Sequence, residues 1–354
     1  MMGNSDGGRN PSGPLLPTTV IGSYAYPSWL WTALEEMRQG KYGESDIAET
    51  LGDAVKMAIR DQEEAGIDIV NDGEMRRWYV FQSWYQRLSG LEPLEPLRKV
   101  GFYGHDSMAR YRSVGRLAAS RGLGIVDEYL YLKAHTQRPI KVTCTGPVTM
   151  TMPIELGSIY KDRIELAAEV AHVINAELKA LVAAGASFIQ IDEPSYALVP
   201  GSMNQWVELF NEAVDGVKAK IALHICFGSV GGRPGGKRSY RWMVPQILDA
   251  RADQFVLEFA SRDLKELELC RDFAARGEVG VGVIDVKSLY VETAEEVAER
   301  LRAALAFVDP AKLYVNPDCG LFHLPRGVAL QKMRNMVAGT EIVRQEIGGR
   351  RSYS

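Results

Sequence analysis

His224-Ile225-Cys226 sets an imidazole and a thiol two residues apart, and Glu258 and Cys319 follow further along the chain. On an extended strand, side chains two apart share a face. One histidine nitrogen, two thiolates and a carboxylate suit a four-coordinate zinc ion, whereas magnesium and calcium prefer oxygen ligands alone. The competing reading is buried structural cysteine, since free cysteine is among the most buried residue types, and H-x-C is no fixed zinc-ribbon spacing. Of the other two cysteines, Cys144 ends an apolar run and is a plausible substitute ligand, while Cys270 lies in a helical segment and reads as core.

These residues do not fall at random. Eight short apolar runs punctuate the chain at 18–21, 67–70, 140–144, 188–191, 221–225, 255–257, 279–284 and 313–315. At or just after their ends come Gly22-Ser23, Asp72-Gly73-Glu74, Thr145-Gly146, Asp192-Glu193, His224 with Cys226, Glu258, Asp285 and Asp318-Cys319. Turns call for aspartate and glycine anyway, but turn chemistry accounts poorly for a histidine, two cysteines and a glutamate. Between most runs lie helical patterns. The segment 163–184 ends before Gly185, and 293–308 opens with a Thr293-x-x-Glu296 capping box. Eight strands separated by helices predict an α/β fold with a parallel sheet closed into a (β/α)8 TIM barrel, whose active sites gather at the C-terminal strand ends. An open doubly wound sheet competes, but no G-x-G-x-x-G follows the first run.

A barrel takes about 250 residues and this chain has 354. The excess is assigned to a disordered tail at 1–14 and to an insertion at about 76–138 between the second and third strands, within one catalytic domain at 15–348. The glycine-rich stretch 231–237 resembles the start of a Walker pattern but is followed by Arg238, so a lid is expected there instead.

Composition narrows the class. Forty-one Lys and Arg against 45 Asp and Glu give a net charge of −4 with no dense basic stretch, which speaks against nucleic acid. No apolar run approaches the roughly 18 residues of a membrane span, and no secretory signal pattern opens the chain. Four cysteines are too few for a disulfide scaffold. A cytoplasmic enzyme is the expectation.

The ordered blocks TTVIGSY, DGE, TGPVT, IQIDEP, HICFGS, LEFASR and VNPDCGL resemble the catalytic barrel of cobalamin-independent methionine synthase over about residues 16–343, without that enzyme's additional N-terminal barrel. The resemblance implies zinc on His224, Cys226, Glu258 and Cys319. It implies an amino-acid pocket made by the Ile21-Gly22-Ser23 backbone, Glu74 and Asp192. Three positions depart from the family. Pro153 stands where a tryptophan stacks on the pterin, Leu198 replaces an acidic folate-binding residue, and Lys287 replaces the proton-donating histidine. The thiol half of the site is kept and the folate half is not. The pattern is similar to short core methionine synthases, which take methyl from a corrinoid protein.

The resemblance therefore implies a zinc-dependent S-methyltransferase converting homocysteine to methionine, with a methyl-corrinoid ahead of 5-methyltetrahydrofolate as donor. The alternative it implies is a zinc-dependent alkyltransferase or lyase acting on another small thiol, such as coenzyme M. Lys287, with Asp285 two residues before it, is the candidate catalytic group, able to protonate a leaving group. Zinc makes a bound thiol a thiolate outright, and two cysteinates with a glutamate carry −3 against Zn²⁺, which keeps a bound sulfur nucleophilic.

Overall fold

A computed structural model describes residues 14–77, 82–95, 109–198, 201–228 and 238–351. The expected tail, except Pro14, and the expected lid at 231–237 lie outside the described residues. Nine strands are defined: β1 Ser89–Leu94, β2 Arg110–Ala118, β3 Val142–Thr145, β4 Ile154–Glu155, β5 Phe188–Asp192, β6 Lys220–Ile225, β7 Gln254–Leu257, β8 Glu278–Ile284 and β9 Leu313–Pro317. Six of them form a parallel sheet in the order β3-β5-β6-β7-β8-β9.

The ring is completed by parallel bridges Thr18 to Val315, Thr19 to Ile69 and Val70 to Ile140. Main-chain bonds from Thr19 N–H to Val315, Ile69 N–H to Thr18 and Lys141 N–H to Val70 run round the gap between β9 and β3. The eight expected runs thus occupy eight places in a parallel barrel. The first two shrink to bridges for local reasons. Pro17 has no N–H to give to a ladder. At Asn71 the Gln62 amide takes both main-chain groups, at 3.0 and 2.9 Å, so the second run leaves the sheet there.

Alternation along the strands separates two apolar sets. Ile189, Ile191, Leu223, Ile225, Phe255 and Leu257 belong to the large core, in which the sheet packs on its helices. Phe188, Ala222 and Val256 share the other parity, and with Ile21 they form a small separate cluster inside the ring. His224 has this inner parity.

The helices obey their sequence signals. Arg163–Ala183 starts on Asp162, whose carboxylate accepts the Glu165 N–H at 2.9 Å, and Gly185 follows at φ 101°. Ala294–Ala304 carries the expected Thr293/Glu296 capping box. The C-terminal helix Arg326–Arg351 packs on Ala294–Ala304 and on Glu44–Ala65. Between the second run and β3, β1 pairs antiparallel with β2, and β4, which follows β3, adds to β2 in parallel. No helix among the described residues is long and apolar enough to cross a membrane.

Candidate metal centre

The parallel register of β5 and β6 sets Asp192 directly beside His224. Asp192 Oδ1 accepts from His224 Nδ1 at 2.7 Å, so the other ring nitrogen, Nε2, faces away from the carboxylate. That Nε2 is buried and has no hydrogen-bond partner among the described residues. Two residues on, Cys226 Sγ lies 3.5 Å from Cys319 Sγ, which the turn after β9 brings in. The ligand atoms of His224, Cys226 and Cys319 all fall within 4.8 Å of one another. A buried, unpartnered imidazole nitrogen beside two sulfurs is a donor set suited to a soft or borderline cation.

The two thiols share their protons unequally. The contact with Cys226, together with nearby His224 and Lys287, brings the Cys319 pKa down to about 6. The same contact and burial push the Cys226 pKa well up. The pair is thereby biased to lose its first proton from Cys319.

Glu258, expected as the fourth ligand, is engaged elsewhere. Fully buried at 0% exposure, it needs a countercharge, and Lys287 at the end of β8 supplies one at 2.8 Å. Ser261 Oγ donates to it at 2.8 Å and the Phe227 N–H at 3.3 Å. Lys287 in turn is pulled two ways. Burial lowers its pKa, but Glu258 and the two cysteines outweigh burial and hold it above the usual lysine range. An ammonium held this firmly is a poor acid at neutral pH, contrary to the proton-donating role considered from sequence. Asp285 Oδ1 accepts the Lys287 main-chain N–H at 2.8 Å, which is turn chemistry.

The expected amino-acid pocket adjoins these residues. Glu74 is buried against Gly22, where a Cβ would come within 2.3 Å of its Oε1. Its Oε1 accepts from Thr143 Oγ1 at 2.8 Å and Arg77 Nη1 at 3.1 Å, while its Oε2 has no partner among the described residues. Burial raises the Glu74 pKa to about 8, against the pull of Arg77. Ser23 is tied to the cysteine turn, its carbonyl accepting the Leu321 N–H at 2.7 Å. The Ile21 and Gly22 carbonyls accept from Asn71 Nδ2. Asp192, expected on a substrate ammonium, spends Oδ1 on His224 and on Gln190 Nε2, each at 2.7 Å.

Several residues here escaped sequence reading. Arg77 is 2% exposed and bonds Glu74, Glu128, Thr143 Oγ1 and the Thr143 carbonyl. Glu128 lies in the insertion, where nothing local marks it. Lys141, just before β3, Thr143 on β3 and Gln190 on β5 are buried polar residues in otherwise apolar stretches, and that was the available signal. Trp84 is buried beneath the Arg77 guanidinium at 4.7 Å. Cys144 donates to the Thr145 carbonyl, away from the other two sulfurs, and Cys270 is core.

A parallel barrel that gathers a donor set for a soft cation at its C-terminal strand ends has the layout on which barrel enzymes build their active sites. Comparison with known proteins narrows this. Residues 16–341 match the family model described as the catalytic domain of cobalamin-independent synthase. The chain is 37% identical to a methionine synthase of Sulfurisphaera tokodaii, over 94% of both chains. It is 38% identical to one of Saccharolobus solfataricus, over 96% of this chain and 98% of that one. A solved structure of a B12-independent methionine synthase from a Shewanella species, in complex with selenomethionine, superposes with TM-score 0.81 at 31% identity, covering 95% of this chain and 99% of that one. The chain belongs to the cobalamin-independent methionine synthase family and is a methyltransferase. The family model and the Shewanella enzyme are described as cobalamin- or B12-independent, and they lend no support to the corrinoid partner expected from the sequence.

Proposed function

We propose that this chain makes methionine by methylating homocysteine at a zinc ion held by His224, Cys226 and Cys319, with Glu258 as the fourth, exchangeable ligand. The observation that carries the reading is the orphaned His224 Nε2 beside the paired sulfurs. When bound, zinc supplies stabilisation of the substrate sulfur as a thiolate at neutral pH. The chain's own residues do the rest. Asp192 fixes the His224 tautomer, and Lys287 neutralises Glu258 and allows that carboxylate to stand off the metal. Glu74 Oε2 is placed to take the substrate ammonium by a charge-assisted hydrogen bond. Coenzyme M has no ammonium, so the free Glu74 oxygen favours homocysteine over that alternative thiol. The selenomethionine held by the Shewanella relative agrees with an amino-acid site.

Glu74 also gives the reading a pH signature. Below a pKa of about 8 burial holds Glu74 neutral, so binding an ammonium must first expel a proton. Methionine, which brings no thiol proton of its own, is expected to bind more weakly as pH falls from 8.5 to 6. In Glu74→Gln, binding is expected to be weaker and flat over that range. Calorimetric titration of the metal-loaded protein at several pH values checks both.

A narrower reading concerns the donor. The firmly protonated Lys287 and the non-aromatic Pro153 leave neither an acid nor a stacking plane for a departing folate at those positions, whereas a methyl-corrinoid departs without a proton. We therefore expect product analysis with homocysteine to show faster methionine formation from methylcobalamin than from 5-methyltetrahydrofolate. Equal or faster turnover of the folate overturns the corrinoid reading and leaves homocysteine methylation standing.

A further inference from the structure

Lys141 lies inside the barrel at 0% exposure, and none of its contacts is explained by the reaction. Its Nζ donates to Gln190 Oε1 at 2.6 Å. Gln190, also 0% exposed, donates from Nε2 to Asp192 Oδ1 at 2.7 Å and to the Ile21 carbonyl at 3.2 Å. Asp192 Oδ1 then meets His224 Nδ1 at 2.7 Å. The four side chains form one unbroken line from the barrel interior to the candidate metal ligand.

We propose that Lys141 and Gln190 are positioning residues, fixing Asp192 so that His224 keeps its proton on Nδ1 and presents Nε2 to the metal. The proposal rests on the reading of His224 as a ligand. An amide has a donor end and an acceptor end of nearly equal shape, and only its partners decide which way it faces. Here Lys141 faces the oxygen end, while Asp192 and the Ile21 carbonyl face the nitrogen end, so all three select one orientation. A flipped amide would set its oxygen against the Asp192 carboxylate and push that carboxylate off the imidazole. Burial lowers the Lys141 pKa to about 7, but an amine donates whether or not it is charged. A lysine buried without a carboxylate in direct contact is costly to keep, and the orientation of Gln190 is what it provides.

The test uses full-length protein carrying Lys141→Met or Gln190→Leu, with Leu178→Ala as a destabilised control far from the site. Zinc affinity is measured by competition with a chromogenic chelator. The tautomer of His224 is read by nitrogen-15 NMR on the metal-free protein. Removing a group that orients a metal-bound histidine costs about 10–100-fold in metal affinity. Gln190→Leu is expected to fall in that range and Lys141→Met near its lower end. Both should show His224 protonated partly on Nε2, and Leu178→Ala should change neither readout. Unchanged affinity and tautomer in folded Gln190→Leu overturn the relay. If wild-type protein binds no zinc, the ligand reading fails, and the tautomer alone then decides whether the relay exists.

Discussion

Cys226→Ser and Cys319→Ser are each expected to lose zinc and methyl transfer together, with metal affinity falling by more than the roughly 100-fold that loss of an orienting partner can cost. A serine hydroxyl stays protonated where a cysteine becomes a thiolate, so each change removes both a ligand and its charge. Cys270→Ser supplies the contrast, because Cys270 is packed in the large core with no part in the cluster. It should keep about one zinc per chain, as a single site implies. Metal analysis of the three purified variants, alongside methionine formation, checks the expectation. Full zinc occupancy in a Cys226/Cys319 double variant would remove the site.

The second large effect is on stability. Arg77→Met is expected to destabilise the fold by about 3–5 kcal/mol, the usual cost of leaving a buried charge without its partner. Arg77 is buried and bridges Glu74 at 3.1 Å to Glu128 at 2.8 Å, so its removal leaves Glu128 without its countercharge and takes a donor from Glu74 and the Thr143 carbonyl at once. Glu128→Gln, which leaves an uncharged partner for the guanidinium, should cost less. The exposed pair Arg241–Glu268 is the control, since an exposed ion pair contributes about 0–1 kcal/mol. Urea midpoints of Arg77→Met, Glu128→Gln and Arg241→Ala give the comparison. Equal midpoints for Arg77→Met and Arg241→Ala would contradict the bridging role.

The difference between what the sequence made legible and what it hid follows from the range of the interactions. Strand parity is local, so the shared face of His224 and Cys226 was readable two residues at a time, and the barrel followed from the spacing of eight apolar runs. The Thr293 capping box needed only four residues. The site's cross-chain bonds were a different matter. Glu258 carries the right chemistry for a ligand, yet its partner Lys287 comes from the next strand and is fixed only when β7 and β8 align. The burial of Arg77 beside Glu74 has no local signal, because Glu128, which pairs with it, lies 51 residues away. Gln190 sits within the recognisable IQIDEP block, but its orientation depends on Lys141 from another strand. Isolated runs 18–21 and 67–70 carried strand composition, while Pro17 and the Gln62 amide cut their ladders to bridges.

The central claim is that the substrate sulfur reaches a zinc ion already held by two cysteine sulfurs. Zinc K-edge X-ray absorption on the purified protein, with and without homocysteine, tests it most directly. The account predicts two sulfur neighbours per zinc in the resting protein and three once homocysteine is added. A sulfur count that stays at two when homocysteine saturates the protein would contradict it.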